Sequence, residues 1–205
     1  MQISTNNLGK KFSNEWIFRN LNETFQSGES YTFVGANGSG KSTLLQVLSG
    51  YIPHSEGVIN YESNSKIIEI DNFYKYIIIA APYLELIEDF TLSELLAFHT
   101  KFKPFKNNLS IPDFIDFIEL PKAKNKEIKY FSSGMKQRVK LGLAFQSDCE
   151  ILMLDEPTSN LDSEATNWYF RNVQEHAKNR LLFICSNQPS EYEFCKNILN
   201  IQKYK

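Results

Sequence analysis

Cysteine is scarce in this chain of 205 residues, with three side chains, at positions 149, 185 and 195. An odd count without metal-like spacing argues against a disulfide framework or a thiolate metal site, and points to free thiols in a reducing compartment. Long apolar runs are missing too. The longest, near Ile77, stops at Pro82 and is far too short to span a bilayer. The opening residues Met1-Gln2-Ile3-Ser4-Thr5-Asn6 lack the basic and apolar regions of a signal peptide, so the expectation is a cytoplasmic chain for which any work at a membrane would run through a partner. Charge of one sign is lacking as well: the net charge is −2 with both signs scattered, which leaves no basic footprint for nucleic acid. The stretch Lys122–Lys129 is short and interrupted, and reads as a solvated loop. No internal repeat and no second glycine loop occur. The length suffices for a full core in one domain, 1–205, with at most an inserted lobe.

What is present is a glycine loop. The residues Gly35, Ala36, Asn37, Gly38, Ser39, Gly40, Lys41, Ser42 and Thr43 follow a short apolar strand, Tyr31–Val34, and open the apolar run Leu44–Leu48. Glycines let the backbone turn tightly and aim several N–H groups at a polyanion, and the helix starting near Lys41 adds its positive end to the same spot. Lys41 then reaches the β- and γ-phosphates of a nucleoside triphosphate, while the Ser42 hydroxyl coordinates Mg²⁺. A flexible Gly/Ser loop is the plainer alternative, disfavoured by the strand before and the helix after.

More than a hundred residues downstream, Glu150–Leu154 reads as a fully buried strand ending in Asp155-Glu156-Pro157. In an open parallel sheet, ligands gather at the carboxyl ends of strands, so this tip and the glycine loop can face one crevice. There Asp155 can hold Mg²⁺ through water, and Glu156 can polarise an attacking water. Alone, such a pair is also what a solvated turn looks like.

The segment FSSGMKQR, Phe131 to Arg138, precedes that strand, and Ser159-Asn160-Leu161-Asp162 follows it. In this order the chain resembles the nucleotide-binding subunits of ABC transporters over nearly its whole length. The first segment is similar to the family's signature sequence and the second to its D-loop. The resemblance implies an α/β fold, a P-loop NTPase (RecA-like) core with an N-terminal antiparallel β subdomain and an inserted α-helical subdomain, 83–141, that carries the signature. Read physically, Ser132 and Gly134 precede a helical pattern through Val139, Leu143 and Gln146, so a hydroxyl and bare N–H groups stand at a helix's positive end. An ordinary N-cap also explains Ser132. By resemblance, ATP lies between one subunit's glycine loop and the other's Ser132 and Gly134, in a head-to-tail homodimer or heterodimer. That dimer drives a separate membrane permease subunit, which places the chain in the cytoplasm, peripheral on the inner face of the cell membrane. A soluble ABC-type ATPase acting on a cytosolic protein or nucleic-acid machine is the alternative.

The chain departs from the family pattern at several places. Ser133 and Met135 replace the signature's first Gly and its Gln. Tyr83, after a strand read as Tyr76–Ala81, stands where the family has its Q-loop glutamine, and a neutral phenol ligates Mg²⁺ poorly. Asn187, after Leu181–Cys185, takes the place of the family's switch histidine; its amide can donate to phosphate but cannot shuttle a proton. His54, His99 and His176 stand elsewhere. The expectation is an ATP hydrolase that these replacements can slow. For the adenine, Phe12 is the nearest match to the family's stacking aromatic, with Trp16 as alternative and a plain core role for Phe12 equally open.

Along the rest of the chain, Gly57–Tyr61 and Lys66–Ile70 read as strands. Thr91-Leu92-Ser93-Glu94 is a capping box opening a helix Leu95–Phe102, and Pro112-Asp113 opens a second through Glu119. Asp162 or Ser163 caps a helix Thr166–Ala177, and no long C-terminal regulatory domain is expected.

Overall fold

The computed structural model describes residues 1–205. In chain order the elements are β1 (Gln2–Phe12), β2 (Glu15–Leu21), β3 (Thr24–Gln26), β4 (Ser30–Val34), α1 (Lys41–Leu48), β5 (Glu56–Ser63), β6 (Lys66–Ile67), α2 (Ile70–Phe73), β7 (Ile77–Ala80), α3 (Leu92–Thr100), α4 (Ile111–Phe117), α5 (Ser133–Gln146), β8 (Ile151–Asp155), α6 (Ser163–Ala177), β9 (Leu181–Cys185) and β10 (Asn197–Asn200). They build two sheets. One is antiparallel, ordered β2-β1-β5-β6 with β3 also on β1; the other is parallel, ordered β10-β4-β9-β8-β7.

The two central strands explain the layering. All five residues of β8 and all five of β9 are buried, the mark of a parallel strand covered on both faces. Because side chains alternate along a strand, Ile151, Met153, Leu181, Phe183 and Cys185 enter a core shared with α1 and the antiparallel sheet. Leu152, Leu154, Leu182 and Ile184 enter a second core, shared with α3 to α6. The parallel sheet is therefore the middle layer, and the chain leaves it between β7 and β8 to form α3, α4 and α5.

Several sequence-based boundaries shift. The strand expected at Lys66–Ile70 stops at Ile67, and Ile70–Phe73 turns into α2, because one helical turn drops Phe73 onto the Tyr61 ring at 3.9 Å between centroids. The Thr91 capping box is present, with both reciprocal bonds to Glu94, so α3 starts at Leu92 and ends at Thr100 rather than spanning Leu95–Phe102. The next helix is capped by Ser110 and ends at Phe117, two residues short of Glu119, which adopts φ 57°. Asp162 rather than Ser163 caps α6, accepting from the Ala165 N–H at 2.8 Å. The four lysines of Lys122–Lys129 are exposed, as a solvated loop requires.

Candidate functional site

The parallel register sets the site. Phe33 and Asp155 both pair with Cys185, so β4, β9 and β8 end level, and the loops leaving them share one edge of the sheet. Off β4 comes the glycine loop. Gly40, at φ 106°, is the N-cap of α1, and a Cβ there would come within 2.4 Å of Ile17 Cγ2 on β2, so the turn demands glycine on both counts. No side chain caps α1, and its first-turn N–H groups are left to a ligand. Lys41 is 6 % exposed and folds back, its Nζ donating to the carbonyls of Gly35 at 2.9 Å and Ala36 at 3.3 Å. Ser39 is buried, its Oγ without a partner.

Off β8 comes Asp155, 1 % exposed. Burial pushes its carboxyl up to about 6, with the Glu156 and Glu191 charges adding and Ser42 and Lys41 opposing. The Ser42 hydroxyl is near enough to lower the value, yet neither carboxylate oxygen has a hydrogen bond of good geometry. A buried carboxylate with both oxygens bare is costly by itself and suited to a hard divalent cation, so Asp155 and Ser42 fit Mg²⁺. Glu156 follows in a left-handed conformation, φ 47°, its N–H donating to the Cys185 carbonyl at 2.8 Å, and its side chain stays partly exposed.

Off β9 comes Asn187, whose Nδ2 donates to the Asn37 Oδ1 of the glycine loop. Tyr83 also reaches this edge: burial raises its phenol well above the ordinary value, Asp155 adds to the rise and a bond with Gln46 opposes it, so the phenol is neutral. Tyr83 lies 6.3 Å from the Tyr51 ring. No histidine joins them. His54 is exposed, His99 bonds Ser147, and His176 stacks on Phe145.

The signature segment lies apart. Ser132 caps α5, its Oγ accepting from the Met135 N–H at 3.2 Å, and is exposed. With Gly134, Arg138, Asn160 and Asp162 it lines a separate cavity of about 330 Å³. Phe12 is 50 % exposed at the hairpin tip with Lys10 Nζ 4.8 Å above its ring, which overturns the core alternative. Trp16 already carries the Arg19 guanidinium at 4.0 Å. Sequence reasoning missed the ties on the turn after β8: Gln137 Nε2 donates to the Pro157 carbonyl at 2.8 Å, and buried Glu191 accepts from Thr158. Only the fold brings these residues together.

A glycine loop between β4 and α1, an acidic tip on β8, one strand removed across β9, and a helical insertion before it define a P-loop nucleoside triphosphatase. The chain belongs to the ABC transporter family, whose model matches residues 18–159, and it is an ATP-binding domain of that family. It is 28% identical over 175 residues to ABC transporter A family member 9 of Dictyostelium discoideum, covering 84% of this chain but 21% of that protein. It is 29% identical over 189 residues to the uncharacterized ABC transporter ATP-binding protein YybJ of Bacillus subtilis, covering 92% and 86%. The fold is that of a dimeric ATP-binding cassette solved with ADP and Pi, at TM-score 0.82 and 21% identity over 97% of this chain and 94% of that one.

Proposed function

We propose that this chain is the ATP-hydrolysing subunit of an ABC transporter, acting as a head-to-tail dimer of such subunits on a separate membrane permease. The observation that carries this reading is the separation of two phosphate-seeking helix starts. α1 opens beside Asp155, Glu156 and Asn187, whereas α5 opens with Ser132 and Gly134 into a cavity of its own. A second copy turned head to tail joins the two, so each ATP lies between one subunit's glycine loop and the other's Ser132 and Gly134.

Each side chain then has a task. Gly35 to Thr43 wrap the phosphates, and Lys41 exchanges the carbonyls of Gly35 and Ala36 for them. Ser42 and Asp155 hold Mg²⁺, which when bound neutralises charge on the phosphates. Glu156 takes a proton from the attacking water as its oxygen bonds to the γ-phosphorus; the bond from that phosphorus to the bridging oxygen breaks, leaving ADP and phosphate. Asn187 releases Asn37 to donate its amide to the γ-phosphate, but it accepts no proton. Phe12, with Lys10 above it, stacks the adenine. Tyr83 and Asn187, in place of a glutamine and a histidine, support a slow hydrolase. Exposed Ile87, Phe98 and Phe102, in the segment between β7 and α4, supply the apolar face for the permease.

The test is steady-state phosphate release by the wild type and Glu156→Gln, with Mg²⁺ and with chelator. Magnesium-dependent turnover that falls by roughly a hundredfold or more in the variant is expected; equal rates sink the enzyme reading. Affinity purification from gently solubilised membranes, with and without ATP, tests the partner. A stoichiometric polytopic membrane protein is expected, and recovery with cytosolic or ribosomal proteins alone favours the soluble ATPase.

A further inference from the structure

One buried carboxylate outside the phosphate site lacks a counter-charge. Glu191 lies in a short 3₁₀ turn, Pro189–Glu191, four residues beyond Asn187, and is 0 % exposed. Its Oε1 accepts two hydrogen bonds, both from Thr158: the backbone N–H at 2.9 Å and the Oγ1 hydroxyl. Its Oε2 is buried without a partner. The Glu191 carbonyl in turn accepts from the Tyr169 hydroxyl of α6 at 3.2 Å, which fixes the turn against the core. A buried acid with no cation is expensive, so its place here is explained by what it holds rather than by net stability.

What it holds is the turn that starts at Glu156. That turn is fastened on three further sides. The Glu156 N–H bonds the Cys185 carbonyl at the end of β9, the Pro157 carbonyl accepts from Gln137 on α5, and the Asn160 carbonyl lies against Gly134, where a Cβ would stand 2.9 Å away. Glu191 adds a tie from the loop that carries Asn187, and Asn187 touches the glycine loop at Asn37. We infer that Glu191 is a positioning residue: by gripping Thr158 it ties the Asn187 loop to the turn that bears Glu156 and rests on Gly134. Contact of Asn187 with a γ-phosphate is then transmitted to the general base and to the signature segment, the part of the chain that faces the other ATP. This inference rests on the hydrolase reading above.

A double-mutant cycle on Glu191→Ala and Thr158→Val tests it, with Glu191→Gln as the conservative control and circular dichroism to confirm folding. Glu191→Ala is expected to lose about tenfold or more in kcat and Thr158→Val, which keeps the backbone N–H bond, a smaller part of that, each with KM within about twofold, and the double variant to be no worse than Glu191→Ala, because the two act as one unit. Glu191→Gln, which keeps a carbonyl oxygen for both Thr158 donors, is expected to stay within about threefold of the wild type. Hydrogen exchange should speed up at residues 158–162 in both alanine and valine variants. The inference is overturned by unchanged kcat in folded variants, by losses that multiply in the double variant, or by a rise in KM at constant kcat. Where Glu191→Ala does not fold, Thr158→Val, which removes the hydroxyl bond and keeps the backbone N–H bond, reads the Oγ1 half of the grip. If wild-type turnover proves independent of Glu156, the hydrolase reading has failed, and unchanged exchange at 158–162 separately refutes the grip of Glu191.

Discussion

His99 shows how far a single buried side chain can set the pH response of the fold. Its Nε2 lies 2.8 Å from the Ser147 Oγ, its ring stacks on Phe105 at 5.9 Å, and burial, with Lys103 beside it, lowers its pKa to about 4. A histidine depressed in the folded state binds fewer protons there than in the unfolded chain. Its contribution to stability is therefore whole above about 6.5 and is lost as pH falls toward 4, by at most about 3 kcal/mol, less some screening at the partly exposed ring. His176, also lowered, acts in the same direction. His99→Gln keeps a hydrogen bond to Ser147 without titrating, so its denaturation midpoint should fall less than the wild type's between pH 6.5 and 4. Parallel curves for the two proteins would show that His99 is neutral to folding.

Residues at the site divide by whether their signal is local. The glycine loop, Asp155 and Glu156 were legible because a strand, a turn and a helix start follow one another within a few residues, and the register of β4, β9 and β8 then brought them to one edge. Asn187 was legible only as the residue after a buried strand; its bond to Asn37 joins positions 150 apart in sequence. Glu191 carried no signal at all, since a glutamate in a polar stretch reads as solvated and only packing beneath Tyr169 buries it.

Among the elements, the caps Thr91, Ser132 and Asp162 were readable and so was the end of α6 at Ala177, whereas Ser110 as the cap of α4 and the ends of α3 and α4 were not. Thr91, Ser132 and Asp162 cap their own helices through bonds three residues long. The far end of α5 is instead closed by Arg180, buried, which donates from Nη1 to the Ala144 carbonyl at 2.9 Å and from Nη2 to the Ser147 carbonyl. Nothing near Gln146 announces that. The same helix reverses a propensity rule. Replacing a mid-helix glycine by alanine ordinarily stabilises by about 1 kcal/mol, yet a Cβ on Gly142 would come within 2.3 Å of Ile118 Cγ2 and 3.0 Å of Phe114 Cζ, where α4 closes on α5. Overpacking of that kind costs about 1–3 kcal/mol. Gly142→Ala should thus lower the thermal midpoint by several degrees, and a rise would mean that α4 yields freely.

At the scale of the molecule, the reading of two half-sites on one chain makes a prediction that no single-subunit mechanism shares. Lys41→Ala removes the lysine proposed to bind phosphate, and Gly134→Asp sets a carboxylate into the signature cavity against the Asn160 carbonyl. Each variant alone should be inactive, because every site in its dimer lacks one half. Mixed, they form heterodimers in which one site pairs the intact Lys41 of one chain with the intact Gly134 of the other, while the second site holds both lesions. Random pairing makes about half the dimers mixed, so for independent sites the mixture should recover about a quarter of wild-type phosphate release. Recovery should also vanish on dilution below the dimer's dissociation constant, since on the proposed reading the sites exist only between subunits. A mixture no more active than the mean of its parts, from two folded variants that still dimerise with ATP, would separate Gly134 from the phosphate it is argued to meet. Such a result would leave Ser132 as nothing more than the cap its bond to Met135 makes it.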